Sequence, residues 1–399
     1  MPDPAPSTPL DRRAAYLIIL LFGIVSLFGD VIYEGARSVT GPYLFALGGS
    51  ALVVGVVAGL GEFLGYALRL LSGHLADATH RYWTLTFLGY GMLIAVPLLA
   101  LAGSWEMAAL LFIVERMGKG IRAPAKDAIL SNVTSSVGRG WGFGIHEALD
   151  QIGAIIGPII FSAAFLLHGN YRAGFALLLI PFALMMLSLV VTRSRAPAPA
   201  ALERAGGPAQ QAPPTSTLVP YAIFTALTMA GFVAFPLIAY HLTATATLSE
   251  AEIPLYYAVA MGVDAAVALI AGRLYDRIGL SVLAAAPIIG IAVPFLAFTS
   301  SPSMALAAAA LWGAAMGIQE TVLRAAVADY THLSKRGRAY GIFNTIYGAG
   351  WFAGSAVIGW VYGISIPLAI GFAAGMQMLA LPVFFHAKRR METGRASGT

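Results

Sequence analysis

Twelve stretches of about 20 mostly apolar residues, separated by short connectors rich in Gly, Pro, Ser or charge, constrain this chain more than any other feature. Their approximate spans are 14–37, 50–72, 83–103, 106–130, 140–166, 172–192, 217–241, 253–272, 281–299, 303–328, 338–362 and 365–387. Each is long enough to cross the roughly 30 Å hydrocarbon layer of a bilayer as a helix. Hydrocarbon offers no water to backbone N–H and C=O groups, so only helices and closed barrels span it. Barrel strands are ~10-residue segments of alternating polarity, and these runs are too long and too uniformly apolar for that. The predicted fold class is an all-α polytopic membrane protein with twelve transmembrane helices. Composition agrees, because only 11% of the 399 residues are charged, against roughly 25% in a soluble domain.

The first residues, MPDPAPSTPLDRR, are polar and Pro-rich with no cleavage site after an apolar core, so the first span is expected to be retained. There is no cysteine, which excludes disulfides and thiolate metal sites, and no cofactor or metal is expected. With the N-terminus in the cytoplasm, the inner segments hold sixteen Arg and Lys residues and the outer loops hold Arg172 alone. That bias is expected to place both termini and the long central loop in the cytoplasm, and the plasma (inner) membrane is the expected location. It also accounts for the net charge of +5 through topology and anionic headgroups, without nucleic acid.

The segment from Arg193 to Thr217 is rich in Pro, Ala and Gly with no apolar period, as expected of a flexible linker. The predicted organisation is a tail over 1–13, a six-helix unit over 14–192, a linker over 193–216, a second six-helix unit over 217–387 and a tail over 388–399. The two units resemble each other. Gly73-His-Leu-Ala-Asp77 after the second span matches Gly272-Arg-Leu-Tyr-Asp276 after the eighth. RGWGFGIHEALDQIGAIIG, from Arg139, matches RGRAYGIFNTIYGAGWFAG, from Arg336, with Gly144, Gly153 and Gly157 falling on Gly341, Gly350 and Gly354 at a constant offset of 197. Two parallel repeats suit alternating access, with substrate bound at their interface near the midplane.

Through these motifs the chain resembles the major facilitator superfamily over essentially all twelve spans. The family's signature between helices two and three matches at Gly73, Leu75, Ala76, Asp77 and Arg81, although Thr79 and His80 stand where its usual Gly would be. The resemblance implies that this loop, with Asp276 and Arg277 in the second half, latches the cytoplasmic side of the outward-open state. Arg116-Met-Gly-Lys-Gly120 fits the family's helix-four motif, and a guanidinium at mid-membrane is expected to face the central cavity. Gly144, Gly153, Gly157 and Pro158 resemble the antiporter motif of drug and metabolite exporters. Two further glycines usual after the Pro are replaced by Phe161 and Ser162, and glycines so spaced also serve plain helix packing.

Charge inside the spans is concentrated in the first half. Asp30, Glu34 and Arg37 share a face of helix one; Glu62 and Arg69 lie on helix two, Glu115, Arg116, Lys119 and Arg122 on helix four, and His146, Glu147 and Asp150 on helix five. The second half offers Asp264, Glu320 and Arg324. The first half is therefore expected to handle ions, through Asp30, Glu34, Arg116, Glu147 and Asp150, with protons favoured over sodium. A coupling carboxylate needs both a desolvating site and a nearby cation, and Asp30 and Glu34 with Arg37 or Arg116 have those ingredients. His146 and Asp150 share a face and form either a proton relay or a static pair with Lys119 or Arg122. Glu320 and Arg324 read as a structural pair.

Arg37, Glu62, Lys119, His146 and Asp264 are the expected polar cavity residues, with second-half aromatics such as Tyr256, Tyr257, Phe343, Tyr347 and Trp351 as apolar walls. No Gly-x-Ser-x-Gly, His-Glu-x-x-His or phosphate loop supports an enzyme. The function expected is a monomeric secondary transporter exporting a small organic molecule by proton antiport. An importer or exchanger of organic anions on the same fold is the alternative, since Arg37, Arg69, Arg116, Lys119 and Arg122 suit carboxylate or phosphate groups.

Overall fold

The computed structural model describes residues 12–134, 137, 139–196, 219–329 and 336–396; helices dominate, and no strand occurs among the described residues. In chain order the helices are α1 (Arg12–Ala46), α2 (Ala51–Thr79), α3 (Tyr82–Leu101), α4 (Trp105–Thr134), α5 (Arg139–His168), α6 (Tyr171–Arg195), α7 (Val219–Ala244), α8 (Ile253–Ile278), α9 (Ala285–Ala297), α10 (Pro302–Asp329), α11 (Arg336–Ile364) and α12 (Ile366–Ala396). Among the described residues nine helical stretches are long and apolar enough to cross a membrane, one of them the 45-residue run Ile253–Ala297 that holds both α8 and α9. Helices α4 and α11 are as long, at 30 and 29 residues, so the architecture is consistent with the twelve expected crossings. Beyond Ala196 the expected linker lies outside the described residues, as do the ends of both tails.

Tight hairpins join successive helices because small polar residues end and restart them. Gly48 and Gly169 take positive φ, 85° and 67°, before α2 and α6. Ser50 and Asn170 then accept from the backbone N–H groups of Val53 and Ala173, satisfying free donors of the first turn. Aliphatic side chains cover the outside, with Leu166 and Leu167 each 76% exposed. A bilayer, not water, is the solvent that such a surface requires.

Two departures from the sequence reading bear on the contact between the halves. The first span was expected to end near residue 37, yet α1 continues through Ser38, Thr40, Gly41 and Pro42 to Ala46. The hydroxyls of Ser38 and Thr40 donate back to the carbonyls of Gly35 and Ala36, at 2.6 and 3.0 Å, so these residues remain helical instead of breaking the turn. Helix α7, expected as continuous over 217–241, is interrupted between Ala230 and Phe235. Pro236 sits at the start of its second piece, and buried Trp312 Nε1 donates to the freed Val233 carbonyl at 2.8 Å. Broken backbone at membrane depth is tolerated only with such replacement partners.

The halves meet where α2 runs along α11, α5 along α8, and α1 against α7. Under the sequence repeat α2 corresponds to α8 and α5 to α11, so the first two contacts are counterparts. At the face away from the chain termini the contact is backbone to backbone: Gly41 abuts Pro236 and Tyr240, Gly55 abuts Ser355, and Gly359 abuts Ala51. Phe45 and Tyr240 pack edge to face beside it, centroids 5.2 Å apart. That end is closed.

Candidate functional site

Between the halves lies a cavity of ≈ 340 Å³. Helix α1 contributes Ser26, Asp30, Tyr33, Glu34 and Arg37; α2 contributes Glu62, Tyr66 and Arg69; α3 contributes Tyr90. Helix α4 adds Lys119, Arg122, Lys126 and Asp127, and α5 adds His146, Glu147, Asp150 and Gln151. The second half supplies Met261, Asp264, Met316 and Glu320. Its lining runs toward the termini-bearing face as far as Lys126 and Asp127 of α4 and His146 of α5, where the Asp127 side chain is 58% exposed.

Its closed end is a chain of ion pairs. Arg37 bridges Glu62 at 3.3 Å and Glu34 at 3.9 Å, and Arg116 joins the same Glu62 at 3.1 Å and Glu115 at 3.4 Å. All five side chains are largely buried, and pairing is what makes such charges tolerable at membrane depth. The network crosses between the halves: Tyr257 of α8 donates to Glu34, and the Arg37 guanidinium lies 5.9 and 5.6 Å from the ring centroids of Trp312 and Trp351. Arg116, expected in the central cavity, lies instead against a separate void of ≈ 20 Å³ toward the closed end, drawn there by Glu62 and Glu115.

Toward the termini-bearing face, Lys126 Nζ donates to His146 Nε2 at 2.9 Å, and Ser26 Oγ lies 3.3 Å from the same nitrogen. Lysine has only donors, so Nε2 accepts and the ring is assigned the neutral Nδ1–H tautomer. His146 Nε2 is 3.7 Å from Asp150, but a neutral ring forms no ion pair there. The expected partners Lys119 and Arg122 are not the ones His146 uses. Glu147 accepts from Gln151 at 3.3 Å. The Lys126 contact was legible only as the continuation of a stripe, since Glu115, Lys119, Arg122 and Lys126 recur at helical spacing on α4.

The aromatic lining also differs from expectation. Tyr33, Tyr66 and Tyr90, all from the first half, line the cavity. Tyr256 does not; its hydroxyl donates to the Pro302 carbonyl at 3.4 Å near the start of α10. Phe343 and Tyr347 border a void of ≈ 10 Å³ beside Gln319. Helix packing turns the second-half aromatics into a cluster, Phe232–Trp312 and Tyr347–Trp351 among them, rather than a cavity wall.

Among the expected latch residues, Asp77 accepts from Tyr82 at the start of α3, at 3.2 Å, and no ion pair of Asp77, Arg81, Asp276 or Arg277 occurs among the described residues. A Cβ on Gly73 would stand 3.5 Å from Pro124 of α4. His80, in place of the family's Gly, takes φ 54° and caps α2 through its N–H to Ala76, a left-handed conformation that glycine adopts more readily. On α5, Gly153 stands against Leu27 and Asp30 of α1, and Gly157 against Val31 and Gly35, while a Cβ on Gly144 would meet nothing within 4 Å among the described residues. Pro158 follows inside the helix. The side chain of Arg324 lies outside the described residues.

A polar cavity between two halves of a multi-pass helical bundle, closed at one face and extending toward the other, defines a membrane transporter and not an enzyme. The chain belongs to the Major Facilitator Superfamily, whose sequence pattern matches residues 24–235 and again 221–398. It is 42% identical over 381 residues, 93% of each chain, to an uncharacterized protein of Mycobacterium tuberculosis (strain ATCC 25618 / H37Rv). Its fold is similar to that of a POT family transporter in complex with 5-aminolevulinic acid, with TM-score 0.76, 12% identity and coverage of 94% of this chain and 96% of that one. A bacterial homolog of the human lysosomal transporter Spinster, in an inward-facing, unoccupied conformation, matches with TM-score 0.71, 14% identity and coverage of 96% and 99%.

Proposed function

We propose that this chain is a proton-coupled antiporter that exports a small organic molecule by alternating access, working as a monomer in the plasma membrane with both termini cytoplasmic. The observation that carries the reading is the position of Glu34. Its carboxylate accepts from Tyr257 of the other half and pairs with Arg37, which itself lies over Trp312 and Trp351 of that half. Protonating Glu34 removes the charge that holds these contacts, so proton binding and the closure of the outer end are energetically linked. Asp30, one turn away, faces the same cavity. Gly153 and Gly157 press α5 onto the stretch of α1 that carries both acids, which supports the resemblance to exporters. Asp77, Arg81, Asp276 and Arg277 would make their latch in the opposite state, with the cytoplasmic end closed.

In proteoliposomes, Glu34→Gln is expected to abolish exchange driven by a pH gradient while substrate binding remains measurable. Unchanged pH-driven transport would remove Glu34 from the mechanism. Organic-anion exchange is the second reading, favoured by Arg69, Lys119 and Arg122, which line the cavity with no carboxylate within 4 Å among the described residues. Counterflow that needs no pH gradient and survives Glu34→Gln selects it.

A further inference from the structure

Within the cavity, charges of both signs stand without partners. Arg69, Lys119 and Arg122 rest on the rings of Tyr66, Tyr33 and Tyr90, at 4.6, 3.8 and 4.7 Å, instead of on carboxylates. Arg122 is only 5% exposed, and neither its NH1 nor the Nε of Arg69 has a hydrogen-bond partner. In contrast, Arg37 and Arg116 are both paired through Glu62. On the other half, Asp264 is 6% exposed, its Oδ1 has no hydrogen-bond partner, and no cation lies within 4 Å of it among the described residues.

We propose that the substrate is a small zwitterion whose acid group is held by Arg69, Lys119 and Arg122 and whose amine is held by Asp264. Buried charges are tolerated when paired, and these two sets belong to different halves, with none of the three cations within 4 Å of Asp264. One dipolar molecule satisfies both. A plain anion leaves Asp264 unpaired and adds negative charge beside Glu34 and Asp30; a plain amine leaves the three cations unpaired and meets their repulsion. The volume of ≈ 340 Å³ is at the small end of the roughly 300–1,000 Å³ usual for ligand sites, which suits an amino-acid-sized molecule. A ligand bridging the halves also gives each half a reason to close on it. The inference rests on the transporter reading of this cavity and is independent of proton coupling.

The test is equilibrium binding to the purified full chain in nanodiscs, with no pH gradient. The probes are 4-aminobutyrate, 6-aminohexanoate and 8-aminooctanoate, each compared with the plain carboxylate and the plain alkylamine of the same length. At least one amino acid is expected to bind about tenfold or more tighter than both of its single-charge counterparts. Asp264→Asn should erase its advantage over the carboxylate, and Arg122→Gln its advantage over the amine. Should a variant fail to fold, the preference of the unaltered chain decides alone. Equal binding of either single-charge counterpart, failure of all three amino acids to bind, or an unchanged preference in a folded variant overturns the proposal. Loss of pH-driven transport with intact zwitterion preference, or the reverse, tells the failure of one reading from that of the other.

Discussion

Gly41→Ala should open the closed end of the transporter. A Cβ on Gly41 would stand 2.9 Å from both the Pro236 carbonyl carbon and the Tyr240 nitrogen, and nearer still to the Pro236 oxygen. These are backbone atoms of α7 and have no rotamer to change, whereas ordinary contact begins near 3.4 Å. The helices must therefore separate by at least about 0.5 Å, a gap that forfeits a quarter or more of each contact's dispersion energy. Overpacking of this kind costs roughly 1–3 kcal/mol. Because α1 and α7 belong to different halves, the cost falls on the closed conformation alone, which translates to about 5- to 150-fold in the conformational ratio. The native chain has no cysteine, so Val57→Cys, at a buried position beside the void at the closed end, gives a background-free reporter. Labelling by a membrane-impermeant maleimide from the face away from the termini should accelerate by that factor when Gly41→Ala is added. Unchanged labelling in a protein that retains its unfolding midpoint would refute the argument that this glycine contact holds the end closed.

Three further outcomes follow from packing within the halves. Gly157→Ala drives a Cβ to 2.7 Å from Gly35 N and should destabilise the chain by about 1–3 kcal/mol, read as a lower thermal unfolding midpoint. Gly144→Ala, whose Cβ would meet nothing within 4 Å among the described residues, should leave the midpoint unchanged or raise it, since Ala outranks Gly in a helix by about 1 kcal/mol; an equal drop in both variants contradicts the packing assignment. Trp312→Phe strips the donor from Val233 at the break in α7 and should cost about 1–3 kcal/mol, and an unaltered midpoint would mean that the break has another support.

Much of the site could be read from residue type alone, because ionisable groups inside apolar spans have few permitted places. Asp30, Glu34, Arg37, Glu62, Lys119, His146 and Asp264 all line the cavity between the halves, as their position in otherwise apolar helices demanded. Arg116 obeyed the same rule differently: it is buried against Glu62 and Glu115, and nothing local distinguishes a paired guanidinium from one facing a cavity. Aromatics were the least legible. Tyr33 and Tyr90 line the cavity while Tyr256 does not, since a ring is equally at home against lipid, core or solvent-filled space, and its direction depends on how neighbouring helices are rotated.

Helix class, the order of the spans, the one-sided distribution of basic residues and the two-fold repeat were all present in the one-dimensional pattern, because each is imposed by the bilayer or by spacing along the chain. Partnership across the halves was not. That Tyr257 donates to Glu34, that Lys126 rather than Lys119 meets His146, and that Gly41 rests on the backbone of Pro236 depend on the rotation and separation of helices far apart in the chain. Those variables are set by the sum of many small packing terms, which no local stretch of residues encodes.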